Sequence, residues 1–325
     1  MSERIILVTG GLGFIGSHIV DKLVDQGFKV RIIDNLSSGR MENIEHRLGD
    51  PRLEVLNIDL KDKDKLVEYT KDVEVVFHYA ANPEVRVSTT DPEIHFKENI
   101  LATFNLLEAM RVNDVEELVF ASSSSVYGEP EFIPVDENAS VKPVSVYGAS
   151  KAACENLIQA YSNLYGFKTV SLRYANVVGP RLRHGVIYDF ITKLLANPRR
   201  LEILGDGSQT RSYIYIDDAV EATITVWRSI GRGFDVYNVG SGDWINVREI
   251  ADIIVEVMKL ENVEYIYKPI LHGIGWLGDV KHIALKIDKV RKLGWKPKLD
   301  SRGAVREAAR RILEEVGGRH LETSR

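Results

Sequence analysis

Tyr147-Gly148-Ala149-Ser150-Lys151 sets a phenol and an ammonium four residues apart, on one face if the segment is helical. A phenol, with a pKa of about 10, is a poor base near neutrality. A neighbouring Lys⁺ and a second positive charge on an oxidised cofactor favour the phenolate. Such a tyrosine can take a proton from a hydroxyl group while the carbon beneath it gives up hydride. With 13 tyrosines in the chain, about one Tyr-x-x-x-Lys pair is expected by chance. This pair is the only one, and it follows the hydroxyl-rich run Ala121-Ser122-Ser123-Ser124-Ser125-Val126-Tyr127-Gly128. A serine run alone reads as a loop. Its place after an apolar segment and before the Tyr–Lys pair carries the signal, with Ser123 orienting the hydroxyl that Tyr147 deprotonates.

A second constellation sits at the start of the chain. Ile5–Thr9 runs straight into Gly10-Gly11-Leu12-Gly13-Phe14-Ile15-Gly16 and then into an amphipathic segment. Glycines spaced Gly10-x-x-Gly13-x-x-Gly16 suit a tight turn, close backbone approach to a pyrophosphate, and close helix–sheet packing. The phosphates then rest on exposed N–H groups at the helix start. Asp34, 18 residues past Gly16, closes the next apolar run. A carboxylate there accepts hydrogen bonds from a ribose 2′-OH and repels a 2′-phosphate, favouring NAD over NADP. Arg40 would argue the other way if it folded over the ribose. Asp59, after Leu53–Leu56, falls at the end of the following strand, where it can reach the adenine.

The elements that must position these groups alternate. Arg4–Thr9, Phe28–Ile33, Leu53–Leu56, Val73–Phe77, Glu117–Ala121 and Thr169–Leu172 are short, Val/Ile/Leu-rich runs that read as buried strands. Amphipathic segments at 14–26, 62–71, 92–112 and 147–165 lie between them. This alternation predicts an α/β fold of the Rossmann type, a doubly wound parallel sheet covered by helices, with a smaller mixed α/β domain after it. Residues 1–176 form the expected cofactor domain and 177–325 the substrate domain, with 211–240 able to pack back on the first. Gly205-Asp206-Gly207 reads as a hairpin turn between Glu202–Leu204 and Arg211–Ile216. Asp217-Asp218 opens a helix to about Arg228, and Asn246 with Glu249 resembles a capping box for one ending near Met258.

Composition narrows the classes. The 325 residues are 44% apolar and 27% charged, an ordinary globular balance. The net charge of −5 supplies no global basic field for nucleic acid or an anionic membrane. Cys154, the single cysteine, excludes an intrachain disulfide and reads as packing one turn beyond Ser150. The eight histidines include no His-x-x-x-His pair, so no metal is expected, and His78 reads as a satisfied core residue. The apolar run before Gly10 is too short for a secretion signal, so the expected location is cytoplasmic.

Taken together, these motifs and Gly205-Asp206-Gly207-Ser208-Gln209-Thr210-Arg211-Ser212-Tyr213-Ile214-Tyr215-Ile216-Asp217-Asp218 resemble the extended short-chain dehydrogenase/reductase family, in its NAD-dependent nucleotide-sugar epimerase/dehydratase branch. The likeness covers the chain from Arg4 to about Lys298. It implies NAD held by Gly10, Gly13, Phe14, Ile15, Gly16, Asp34, Asn35, Ser38 and Gly39, with Asp59 and Leu60 at the adenine. Tyr79, Ala80, Ala81, Asn99 and Tyr174 complete the implied cofactor contacts with Tyr147 and Lys151. Ser123, Tyr147 and Lys151 match the catalytic triplet. Ser123, Ser124, Tyr147, Asn176, Arg211 and Asp279 match substrate positions, with Arg211 on the diphosphate. Family 4,6-dehydratases carry an Asp-Glu pair, and decarboxylases a Glu, where this chain has Ser124-Ser125. Epimerisation at C4 needs only Tyr, Ser, Lys and NAD, so the resemblance implies interconversion of UDP-glucose and UDP-galactose. Pro83 and Trp276 stand where relatives often have a lysine and an arginine. The family is usually a homodimer, implying an interface of helices 92–112 and 147–165. Ile100, Phe104, Leu107, Ala153, Leu157, Tyr161 and Leu164 form apolar stripes on these segments, although such stripes can equally face the sheet.

Overall fold

The structure, a computed structural model, describes residues 5–322. Seven strands, β1 (Ile5–Thr9), β2 (Lys29–Asp34), β3 (Leu53–Asn57), β4 (Val73–His78), β5 (Glu117–Ser123), β6 (Lys168–Tyr174) and β7 (Gly233–Val239), make one sheet in the order β7-β6-β5-β4-β1-β2-β3. The pairs β1–β2, β1–β4, β2–β3, β4–β5 and β5–β6 are all parallel. The order reverses between β1 and β4, which opens a crevice at their carboxyl ends. All six expected strands form, with their described ends shifted by at most two residues; Arg4, the expected start of the first, lies outside the described residues. The fold is the doubly wound, Rossmann-like α/β architecture.

Helices α1 (Phe14–Asp25), α2 (Lys63–Tyr69), α3 (93–112) and α4 (Val146–Tyr165) follow the expected amphipathic segments. On one face of the sheet, Leu7, Ile33, Val76, Leu118 and Phe120 pack with Leu66 of α2, Leu106 and Met110 of α3, and Ile158 of α4. Phe77, the neighbour of Val76, points the other way and meets Trp227 edge-on at 5.2 Å, as the period of two requires. Burying each such side chain stabilises the fold by about 1.5–3 kcal/mol. Helix α3 is not uniform: a π-helical stretch occupies Phe96–Leu101 and turns Asn99 inward. Ser145 Oγ accepts the Gly148 N–H at 3.1 Å to start α4, and Gly166, at φ 76°, ends it.

The chain divides into two compact units that are discontinuous in sequence. The first takes residues up to Gly128, Val141–Tyr174 and Val220–Tyr237; the second takes Glu129–Ser140, Ala175–Ala219 and everything from Asn238. One break, Tyr174/Ala175, lies beside the expected boundary at 176, and Val220–Tyr237, within the segment 211–240, groups with the first unit.

In the second unit lie α5 (Gly185–Ala196), the start of α6 (Ile216–Arg228), α7 (Val247–Val257) and α8 (Ser301–Glu322). The capping box at Asn246 and Glu249 is present, with Asn246 Oδ1 accepting the Glu249 N–H at 2.8 Å and Glu249 Oε2 accepting the Asn246 N–H at 2.9 Å. The hairpin expected around Gly205–Gly207 does not form. Arg200–Leu204 pairs in parallel with Glu264–Lys268, and Tyr213–Tyr215 with Asn176–Val178. The Gly-Asp-Gly turn is closed by a side chain instead: Gln209 Nε2 donates to the Leu204 carbonyl at 3.1 Å, and Gln209 Oε1 accepts the Gly207 N–H at 3.1 Å. Once Gln209 satisfies the turn, its two arms are free to pair elsewhere.

Candidate active site

The glycine turn joins β1 to α1 at the point where the strand order reverses. Gly10, at φ 67°, passes so close to the next strand's end that a Cβ on it would lie 2.6 Å from the Ala80 nitrogen. Gly16 packs against the turn, where an added Cβ would meet the Gly10 carbonyl oxygen at 2.1 Å. Gly13 caps α1 without a side chain, and the first turn carries no acidic residue, so its N–H donors are left for an anion. Phe14 and Ile15 lie on this turn.

Asp34 is buried at the end of β2, where burial pushes its carboxyl upward against two backbone hydrogen bonds that lower it. Its Oδ2 accepts the Leu12 N–H at 3.1 Å and its Oδ1 the Leu36 N–H at 2.9 Å. It therefore ties the glycine turn to the loop carrying exposed Ser38 and half-buried Gly39. Asn35 Nδ2 donates to Asp59 Oδ2 at 3.1 Å. Burial works to raise the Asp59 carboxyl, yet bonds from the Lys61 N–H, Asn35 and the Lys61 ammonium hold it below its usual value. The Leu60 carbonyl accepts Asn105 Nδ2 at 3.0 Å. These residues fit an NAD molecule: a small-residue turn with free donors for the pyrophosphate, followed by an acid for the ribose.

Strand β5 supplies the chemistry of the second cluster. Ser123 ends it, and Ser123 Oγ accepts both the Ser125 N–H (3.2 Å) and the Ser125 hydroxyl (2.8 Å). Its own proton is then left for the Tyr147 phenol oxygen, to which it is hydrogen-bonded. That donation lowers the phenol, but burial dominates and pushes Tyr147 up to about 12. Lys151 is buried one turn along α4, donates to the Ala121 carbonyl at 2.8 Å, and lies 6.0 Å from the centre of the Tyr147 ring. Burial brings its ammonium down to about 8. The expectation joined Lys151 to the positive charge of an oxidised cofactor, and the protein's groups alone supply only part of that pair. Among the protein's own groups desolvation is the largest influence, and it raises the phenol.

Around this pair the side chains are closely connected. Asn99 Oδ1 accepts the Asn82 N–H at 2.8 Å, and Asn99 Nδ2 donates to Ser150 Oγ at 2.8 Å. Tyr79 and Tyr174 share a hydroxyl hydrogen bond of 2.9 Å. Ala80 and Ala81 are half-buried beside them in sequence. His78 is a satisfied core histidine, bonded through Nδ1 to Thr9 Oγ1 (2.7 Å) and through Nε2 to Thr103 Oγ1 (2.9 Å); burial pushes it down to about 3. Cys154 is buried and free, its thiol donating toward the Asn99 carbonyl at 3.4 Å.

Sequence reasoning missed a buried cluster on the same helix. Glu155 accepts from Ser122 Oγ at 2.6 Å and from Arg173 Nε (3.0 Å) and Nη2 (2.7 Å), while Arg173 Nη1 donates to the Tyr127 hydroxyl at 2.9 Å. The signal was available: Glu155 lies four residues after Lys151 and eight after Tyr147, on the face already read as chemical.

In the second unit, Asn176 is exposed and Nδ2 donates to the Ser212 carbonyl at 3.3 Å. Arg211 and Asp279, expected as separate substrate contacts, are paired with each other at 2.6 Å. Arg211 Nη1 also donates to the carbonyls of Thr210 and Lys281. Burial raises the Asp279 carboxyl, with the Arg211 charge opposing it. Half-buried Ser124 belongs to the first unit. Among the described residues, no group of three or more His, Cys, Asp or Glu could hold a metal, and no helix is long and apolar enough to cross a membrane.

Residues 6–240 match the family described as NAD dependent epimerase/dehydratase family. A UDP-glucose 4-epimerase of Mycolicibacterium smegmatis is 37% identical over 302 residues, covering 90% of this chain and 93% of its own length. Among solved structures, a UDP-galactose 4-epimerase superposes with a TM-score of 0.86 at 47% identity, covering 96% of this chain and 100% of that one. The Thermus thermophilus UDP-glucose 4-epimerase in complex with NAD gives a TM-score of 0.84 at 36% identity, covering 95% and 99%.

Proposed function

The chain belongs to the NAD dependent epimerase/dehydratase family, and within it we propose that this protein is an isomerase that interconverts UDP-glucose and UDP-galactose. The observation that carries the chemistry is the meeting of Ser123, Tyr147 and Lys151: a phenol hydrogen-bonded to a serine whose other contacts leave it a donor, with a buried ammonium one turn along. Epimerisation rather than dehydration is supported by Ser124 and Ser125, which bring hydroxyls where an elimination across C5–C6 needs an acid and a base.

Gly10, Gly13, Phe14, Ile15 and Gly16 would hold the NAD pyrophosphate, with Asp34, Asn35, Ser38 and Gly39 at its ribose and Asp59 and Leu60 at the adenine. Tyr79, Ala80, Ala81, Asn99 and Tyr174 would line the rest. When bound, NAD supplies the acceptor for the C4 hydride and the positive charge that draws Tyr147 toward the phenolate. Tyr147 then takes the C4 hydroxyl proton while Ser123 orients that hydroxyl. Lys151 keeps positive charge near the phenol. After the 4-keto sugar presents its other face and hydride returns to C4, Tyr147 gives the proton back to the C4 oxygen. Each turnover leaves proton and hydride inventories unchanged. Asn176, Arg211 and Asp279 are the nucleotide-sugar contacts of the second unit in this reading.

The reading includes a homodimer formed by α3 and α4. Leu107 and Tyr161 are buried, Ile100, Phe104, Ala153 and Leu157 half-buried, while Phe96 (55%) and Leu164 (72%) remain exposed on those helices. It also places the enzyme in the cytoplasm, in galactose metabolism, which the free buried thiol of Cys154 suits.

Proton NMR of UDP-galactose incubated with purified protein and no added cofactor tests the function. Anomeric signals of UDP-glucose are expected, with NAD carried by the protein; a repeat with added NAD covers its loss on purification. A 4-keto-6-deoxy product or net formation of NADH would overturn the assignment.

A further inference from the structure

Beside Tyr147, one buried polar atom has no hydrogen-bond partner among the described residues: Nε2 of His95. His95 is wholly buried at the start of the π-helical stretch, and its ring meets the Tyr147 ring edge-on, centres 5.7 Å apart and planes at 65°.

The surrounding bonds fix which nitrogen carries the proton. Ser150 Oγ donates to the Tyr147 carbonyl at 2.7 Å, so it must accept from Asn99, which sets Nδ2 of Asn99 toward it. Asn99 Oδ1 is engaged by the Asn82 N–H, consistent with that orientation. The second Nδ2 proton faces two distant acceptors, the Asn82 carbonyl and His95 Nδ1, each at 3.5 Å. His95 Nδ1 thus faces a donor and acts as acceptor, which leaves the proton of the neutral ring on Nε2. Burial is the largest influence on His95 and lowers it; Asp91 and Glu84 oppose this, while Lys151 acts in the same direction. For Tyr147, the facing groups are Ser123, Cys154 and Lys151.

We propose that His95 is a positioning residue for Tyr147, turning the imidazole edge that carries a neutral Nε2–H toward the phenol ring so that the phenolate is favoured. An N–H facing an aromatic ring is attracted by its electrons, and more strongly once the ring carries the phenolate charge. This inference rests on Tyr147 being the acid–base group, but not on which sugar is bound.

Ultraviolet difference titration of the NAD-loaded protein tests it, with His95→Phe compared against wild type. The Tyr147 signal is identified as the component missing in Tyr147→Phe. His95→Phe keeps an aromatic edge and removes the N–H, and is expected to raise the phenolate midpoint by about half a pH unit, roughly threefold in the equilibrium constant. The kcat–pH profile should move with it, so that turnover lost near neutrality returns at higher pH while KM stays within about twofold. A purely structural role would lower kcat at every pH and leave the midpoint in place, and that result would overturn the proposal. Histidine-labelled wild-type protein supplies a measurement that needs no variant. Nitrogen NMR at pH 7 is expected to show His95 neutral with its proton on Nε2, and a proton on Nδ1 or a charged ring would equally sink the idea. The titration reads without substrate, so a mistaken sugar leaves it standing.

Discussion

Replacing Glu155 by Gln isolates one charge in the buried cluster behind Tyr147 and Lys151. The Glu155 and Arg173 side chains are only 7% and 6% exposed, and their carboxylate and guanidinium meet through two hydrogen bonds. The pair is backed by Ser122 Oγ and by the Tyr127 ring, 4.8 Å from the guanidinium carbon. Burial alone would weaken the Arg173 charge, but Glu155 holds it well above its ordinary value. Glutamine preserves the volume and one acceptor, yet leaves a cation in a site closed to water. Breaking a buried pair in this way costs about 3–5 kcal/mol. At about 2 °C per kcal/mol for a chain of this size, melting should fall by roughly 6–10 °C. Glu155 also supports the Lys151 charge, so the same variant should move Lys151 further below about 8. The assay is calorimetric melting of wild type, Glu155→Gln, Arg173→Met and the Glu155→Leu/Arg173→Met double variant. Most of the cost comes from an unpaired charge, so the double variant should recover more than half of it. A melting point for Glu155→Gln within about 1 °C of wild type, or a double variant no better than the single, would refute this account.

Other perturbations probe the site directly. Tyr147→Phe should lower turnover by about 10²–10⁴-fold in a UDP-galactose assay while NAD stays bound, and unchanged turnover would remove the phenol from its role. Gly10→Ala forces a Cβ to within 2.6–2.8 Å of Ala80 backbone at a left-handed φ of 67°; isothermal titration should show NAD affinity reduced by about tenfold or more. His78 sits at about 3 in the fold and about 6.5 when unfolded, so the unfolded chain binds the extra proton between these values. Its contribution to stability is complete above about pH 6.5 and declines as the pH falls toward 3. Urea melts of His78→Gln should therefore lose stability less steeply than wild type between pH 6 and 4, and parallel slopes would contradict the assignment.

Much of this was legible in the chain because local rules and tertiary needs agreed. Strands such as Val73–His78 are buried on both faces, so their apolar runs have sharp ends, and Asn246 with Glu249 forms its capping box from nearby residues alone. The Tyr147–Lys151 pair was legible because helical spacing places both on one face. Other features depended on distant partners. The Gly205–Gly207 turn has the glycines and flanking apolar runs of a hairpin, whereas Gln209 closes it and its arms pair with Glu264–Lys268 and Ile245–Asn246. Arg211 and Asp279 were read as independent ligands, and only folding brings them together across 68 residues of chain. His95 lies between Ile94 and Phe96, and nothing in its spacing announces the ring it meets.

The order of the sheet has a consequence for how the protein is made. When ribosomal synthesis has passed Tyr174, six strands of the sheet exist and β6 is its outer edge. The strand that covers this edge, Gly233–Val239, emerges only after residues 175–232 have been translated. During that interval the nascent chain carries an open row of backbone donors and acceptors flanked by Val170 and Leu172, a template for pairing with another chain. Chains stopped before Gly233 are thus expected to pellet or to stay bound to chaperones, and chains extended past Val239 to be released. Expression yield then depends on the pace at which one short segment is delivered to the sheet.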